Sequence, residues 1–119
     1  MIKGIGVDLV ETKRFKNIKS KEVFIRQILT DKEILNIPKE YQKDYFYATI
    51  FAIKEAILKA LACGLYHGSH WHNIVITKKF EARLSDVIKK FAHEKSVSKI
   101  HIAKAYSKKY TTALVLMEE

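Results

Sequence analysis

The residues best placed to do chemistry sit inside the most apolar stretch of the chain, Phe51-Ala52-Ile53-Lys54-Glu55-Ala56-Ile57-Leu58-Lys59-Ala60-Leu61-Ala62-Cys63-Gly64. Glu55 and Lys59 are four residues apart, so a helix stacks them on one face, with Phe51 a turn earlier. A carboxylate and an ammonium then point the same way. Either they form an ordinary surface pair contributing about 0.2–0.5 kcal/mol, or a metal-ligating carboxylate stands beside a phosphate-binding lysine. The second reading needs another acid and an anionic ligand. Asp8 is the candidate acid: Asp8-Leu9-Val10-Glu11 has capping-box spacing, so its carboxylate either caps a helix or holds a metal ion at a strand end.

Two other groups invite a chemical reading and support it less. His67, His70 and His72 place three imidazoles within six residues. No Cys or acid accompanies them and the spacing matches no zinc pattern, which favours a loop of solvated histidines. Cys63 is the only cysteine, so no intrachain disulfide forms, and a thiol at a helix end is more often a small packed residue than a nucleophile.

The elements that must position these side chains follow from periodicity. Ile50, Ile53, Ile57, Ala60 and Leu61 recur at helical intervals, and Gly64 offers a left-handed terminus, predicting a central, largely buried helix. Met1 to Val7 reads as a strand inside the sheet, with Gly4 and Gly6 marking close approach by another element. Leu9 occupies the third position of a would-be dinucleotide fingerprint, which rules that motif out. Short amphipathic helices carry Lys13, Arg14, Lys16, Lys19, Lys21 and Arg26 beside Phe15, Ile18, Phe24, Ile25, Ile28 and Leu29. Thr30-Asp31-Lys32-Glu33 is a second capping box, and Pro38 marks the break before the central helix. Beyond the histidine loop come a strand over Asn73–Thr77 and a helix over Leu84–His93, with Leu84, Val87, Ile88 and Phe91 on one face. Strands Ser96–Tyr106 and Tyr110–Met117 form a hairpin through Ser107-Lys108-Lys109, expected to pack on the central helix.

With 119 residues, 48% hydrophobic, the chain is expected to form one α+β domain without repeats. No apolar run approaches the ~20 residues of a membrane span and Met1–Gly6 lacks a signal-peptide core, so a cytoplasmic protein is expected. The net charge of +9, from 22 Lys and Arg against 13 Asp and Glu, calls for an acidic partner: nucleic acid, anionic membrane or acidic protein.

Read together, Gly4-Ile5-Gly6-Val7-Asp8-Leu9-Val10-Glu11 with Arg14, and Phe51 to Leu61 with Gly64, resemble the two signatures of bacterial holo-acyl-carrier-protein synthases, the small phosphopantetheinyl transferases. Phe24 to Thr30 and Glu33 resemble the segment between, so the likeness is collinear over about the first two thirds of the chain. The resemblance implies a small antiparallel sheet wrapped around a long central helix. It also implies magnesium-dependent transfer of phosphopantetheine from coenzyme A to a serine of an apo acyl carrier protein. Asp8 and Glu55 would hold Mg²⁺, Lys59 would act beside them, and coenzyme A would meet Phe51, Lys59, Cys63 and Gly64. Arg14, Lys13 and Arg26 would dock the carrier protein, and the assembly would be a homotrimer with its site between subunits. The chain departs from the family pattern at Ile50 and Gln42, where basic residues are expected, at Lys78-Lys79-Phe80, at Asn73, and at Ala103-Lys104-Ala105-Tyr106.

Two alternatives stand beside this one. A basic nucleic-acid-binding module has compositional support only, since no stacking platform or helix-turn-helix signature is present. A catalytically impaired trimeric relative that binds carrier protein would need none of Asp8, Glu55 and Lys59.

Overall fold

The computed structural model describes residues 1–16, 21–39, 42–62 and 70–119. Its elements are β1 (Ile2–Glu11), a 3₁₀ turn (Thr12–Phe15), α1 (Lys21–Ile28), α2 (Asp31–Leu35), α3 (Lys43–Ala60), β2 (Ile74–Ile76), β3 (Ala82–Leu84), α4 (Asp86–Glu94), β4 (Lys99–Tyr106) and β5 (Tyr110–Glu118). The architecture is α+β: an antiparallel sheet in the order β1-β5-β4 packs one face on α3, and β2 pairs with β3 in a small second sheet.

Helix α3 starts well before Phe51, and the apolar rhythm carries back through Phe46, Ala48 and Ile50, all buried. Its core residues Ile53, Ala56 and Ile57 are wholly shielded from solvent. At the C-terminus Leu61 caps the helix and Ala62 takes the left-handed conformation, φ 57°, that was expected of a glycine. Gly64 and Cys63 lie outside the described residues, as do His67 and most of the histidine loop.

Strand β1 lies against the backbone of α3 because two glycines let it. A Cβ at Gly4 would overlap the carbonyl oxygen of Ala60, and one at Gly6 would overlap that of Ala56 and come within 2.8 Å of Ala60 N. The helix answers with alanines at both contacts, so the small residues on the two elements are one packing device.

Three sequence expectations change. β1 does not stop at Val7: it pairs with β5 through Asp8↔Ala113 and on to Glu11↔Tyr110, so Asp8 lies inside a strand and caps no helix. Long-range ladder bonds override the local capping pattern, and the following 3₁₀ turn has no side-chain cap. Within these residues β1 is also an edge strand, with β5 central. Finally, Leu84 belongs to β3, so helix α4 begins later and packs through Ile88, Phe91 and Ala92, while Val87 is exposed.

The second capping box is present as read: Glu33 N donates to Thr30 Oγ1 at 3.2 Å and Thr30 N to Glu33 Oε1 at 2.8 Å. The β4–β5 hairpin and its Ser107–Lys109 turn are also present, packed on α3.

Candidate active site

Alternation along β1 fixes the direction of Asp8. Gly6 and Val10 are buried against the helix layer while Ile5, Val7 and Leu9 are exposed, so Asp8 shares the helix-facing side. There its Oδ1 accepts a bond from Lys59 Nζ at 2.9 Å, and the carbonyl oxygen of Val7 accepts another from the same ammonium at 3.2 Å. Its second oxygen, Oδ2, is buried and has no hydrogen-bond partner.

Glu55 lies one turn before Lys59 and is 7% exposed. Burial raises its carboxyl above the usual range, the negative charge of Asp8 raises it further, and Lys59 and Arg14 pull the other way. Two carboxylates thus converge from a strand and a helix with a buried lone pair left over. Such an arrangement is unfavourable by itself and becomes favourable around a cation. An oxygen-ligating divalent ion of the Mg²⁺ type needs only one or two carboxylates, leaving its other positions to phosphate oxygens and water, so the donors present fit it. The described residues hold no group of three or more His, Cys, Asp or Glu arranged for a metal.

Phe51, a turn before Glu55, is half-buried in an aromatic cluster. Its ring stacks on Trp71 at 5.6 Å and meets Phe15 at 5.8 Å and Phe24 at 6.2 Å. The guanidinium of Arg14 lies 5.6 Å from the centre of the Phe51 ring. The 3₁₀ turn therefore brings Arg14 to the edge of the carboxylate site. The other two docking candidates are not brought there: Lys13 pairs with Glu11 at 3.5 Å, and Arg26 with Asp31 at 3.0 Å and Glu22 at 3.6 Å. The basic run is split into separate faces, with Arg26 already matched by its own acids.

The departures from the family pattern also have definite surroundings. Ile50 is 1% exposed and part of the core. Gln42 lines a cleft of about 440 Å³ with Lys13, Lys16, Tyr45, Lys108 and Lys109. Tyr106 packs on Tyr45 at 5.4 Å. Asn73 falls in a short 3₁₀ turn ahead of β2 and not in the strand. His72 Nε2 donates to the carbonyl of Arg26 at 2.6 Å.

Sequence reasoning missed one constellation. Lys54 is fully buried and bonds Glu33 Oε1 at 2.8 Å, the carbonyl of Ile28 at 2.6 Å and that of Trp71 at 3.3 Å. Glu33 in turn accepts from Ile76 N at 2.7 Å. The available signal was a lysine whose neighbours one helical turn away, Ile50, Phe51, Ile57 and Leu58, are all apolar.

A strand and a buried helix thus bring two carboxylates and a lysine together within a small α+β fold. The model of the 4'-phosphopantetheinyl transferase superfamily matches residues 4–115, and the chain belongs to that family. Holo-[acyl-carrier-protein] synthase of Fusobacterium nucleatum subsp. nucleatum is 35% identical over 121 residues, covering 98% of this chain and 99% of that protein. The fold is similar to the crystal structure of holo-[acyl-carrier-protein] synthase from Neisseria meningitidis, with TM-score 0.85, 29% identity and 100% of both chains covered. It is also similar to a holo-(acyl-carrier-protein) synthase from Bacillus anthracis solved in complex with coenzyme A, with TM-score 0.69, 27% identity, and 98% of this chain and 96% of that one covered.

Proposed function

We propose that this chain transfers 4'-phosphopantetheine from coenzyme A to a serine hydroxyl of an apo acyl carrier protein. The serine oxygen bonds to phosphorus, the bridging phosphorus–oxygen bond breaks, the hydroxyl proton is lost, and adenosine 3',5'-bisphosphate leaves. The observation that carries this reading is the convergence of Asp8 and Glu55 beside Lys59, with Asp8 Oδ2 buried and unpartnered. Asp8 and Glu55 would hold Mg²⁺, which supplies positive charge to the phosphoryl oxygens as negative charge builds on them.

Lys59 acts as a point charge beside the same phosphates, half-exposed and able to swing. Phe51, Cys63 and Gly64 are assigned to coenzyme A by the family likeness. Arg14 is the leading docking residue for the acidic carrier protein, with Lys13 beside it, because Arg26 is occupied by Asp31 and Glu22. The setting we assign is the cytoplasm.

We also propose a homotrimer. The sheet face turned away from α3 carries Ile5, Val7, Leu9 and Leu114, all exposed, with Val7 opposite Leu114 across the ladder. A continuous apolar sheet face of this kind is suited to other copies of itself, and a closed three-fold ring would bring neighbours to each site. Sedimentation of a monomer at micromolar concentration would overturn this assembly.

Incubation with an apo carrier protein, coenzyme A and Mg²⁺, followed by mass spectrometry, tests the activity. The expected product is carrier protein heavier by one phosphopantetheine. Carrier binding without that product would instead mark the impaired relative, a reading favoured by Ile50 in the core where the family has an arginine.

A further inference from the structure

Lys59 and a divalent cation would be drawn to the same carboxylate, that of Asp8, and would share it only at a cost in repulsion. The ammonium donates to Oδ1 of the same carboxylate whose Oδ2 is the unpartnered buried oxygen, and Glu55 lies a turn away on the same face. Two positive charges drawn to one small carboxylate repel each other strongly where water is partly excluded. Only one of them is mobile by construction. The Lys59 side chain is 50% exposed, and its remaining bond is to the Val7 carbonyl. A pair so exposed is held weakly, and four rotatable bonds let the ammonium leave. The carboxylate cannot follow, because Asp8 is 13% exposed and fixed in the β1–β5 ladder.

We propose that Lys59 is an internal cation that competes with the metal for Asp8, so that metal and anionic substrate bind cooperatively. When the metal takes the carboxylate, the displaced ammonium is left without a counter-charge. A pyrophosphate group then provides one. Metal without the phosphate strands Lys59, and phosphate without the metal must draw Lys59 off Asp8 and leave that buried carboxylate unmatched. Each ligand therefore helps the other, and the coupling is reciprocal. The inference rests on Asp8 and Glu55 being the metal ligands and adds an order to the loading of that site.

Mn²⁺ binding, followed by electron paramagnetic resonance of the free ion, tests this without any turnover. Wild type, Lys59→Gln, Arg14→Gln and Asp8→Asn are titrated with Mn²⁺ alone and again with saturating coenzyme A. Lys59→Gln is expected to bind Mn²⁺ alone about tenfold tighter than wild type, and to gain much less than wild type when coenzyme A is added. Arg14→Gln removes the same charge from the neighbourhood without freeing Asp8, so its gain should be under about threefold. Equal gains in the Lys59 and Arg14 variants would reduce the effect to general electrostatics and overturn the proposal. So would an unchanged Mn²⁺ affinity in Lys59→Gln while Asp8→Asn abolishes binding, an outcome that leaves the metal ligands standing. No Mn²⁺ binding in wild type or Lys59→Gln, with or without coenzyme A, removes the metal reading and the competition together.

Discussion

Helix α3 carries two lysines five positions apart, each bonded to a carboxylate at nearly the same distance: Lys54 to Glu33 at 2.8 Å and Lys59 to Asp8 at 2.9 Å. Their surroundings could hardly differ more. Lys54 is 0% exposed and Glu33 1%, and three acceptors surround the ammonium while Glu33 also serves Thr30 N and Ile76 N. Lys59 is half in water, and its partner keeps a buried oxygen unused. The first pair is closed on itself and ties the end of α1, the start of α2, the Trp71 segment and β2 to the central helix. The second is open, with one valence reserved. Completeness of hydrogen bonding, and not distance or charge, is what separates the two pairs.

The contrast should be largest in stability. Lys54→Ala leaves Glu33 charged and buried without its cation, and is expected to lower the unfolding free energy by about 3–5 kcal/mol. Lys59→Ala, at an exposed site, should change it by less than about 1 kcal/mol. Urea denaturation of the two variants side by side makes the measurement, and equal losses would erase the distinction drawn here.

The ranking reverses for activity. Asp8→Ala and Glu55→Ala are each expected to reduce carrier-protein modification at least about a hundredfold, comparable to removal of one principal charge-stabilising group. Circular dichroism and the unfolding midpoint should stay near wild type for Asp8→Ala, because its carboxylate contributes one half-exposed pair. Transfer that persists without added metal in either variant would remove both residues from the site.

How much of this was legible in the sequence depended on whether the deciding contacts were local. The Glu55–Lys59 face follows from helical spacing alone, and the glycines of β1 announced a close neighbour before the neighbour was known. The Thr30–Glu33 box is a four-residue event and could be read directly. Of the two readings open for Asp8, the cap fails because what keeps β1 extended is β5, about a hundred residues away along the chain. β3 escaped notice for the same reason, being three residues long and defined by its pairing with β2. The apolar setting of Lys54 was readable but its partners were not, because Glu33, Ile28 and Trp71 come from three other segments. Composition could announce a basic protein but could not say that Arg26 would be matched by Asp31 and Glu22 while Arg14 turned toward Phe51 and Glu55.

That last difference sets a smaller effect. Arg14→Glu is expected to weaken carrier-protein affinity by roughly tenfold, as reversal of a charge facing an acidic partner does, and Arg26→Glu by less than about threefold. Surface plasmon resonance at two salt concentrations measures both, and wild-type binding should weaken as salt rises. Equal losses, or binding indifferent to salt, would move the docking surface away from Arg14.

The smallest effect reads the closed pair through its proton. Burial lowers the Lys54 ammonium below its usual value of 10.5, and the opposing attraction of Glu33, by charge and hydrogen bond, only partly offsets it. The unfolded chain therefore holds this proton to higher pH than the folded one does. Below the lowered folded value both states are protonated and the group contributes no pH dependence; above 10.5 both are neutral. Between the two the unfolded state binds more protons, so this group's contribution to folding stability must rise with pH. Other lysines and the tyrosines titrate in the same region, and the difference between wild type and Lys54→Met isolates the one of interest. Urea unfolding of both from pH 8 to 10.5 is expected to show wild type gaining on the variant as pH increases. A difference that is flat or falls across that range would mean that Glu33 and the carbonyls of Ile28 and Trp71 hold the ammonium charged in the fold at least as firmly as water does. Lys54 would then contribute net electrostatic stability, and its completeness would be more than an accommodation to burial.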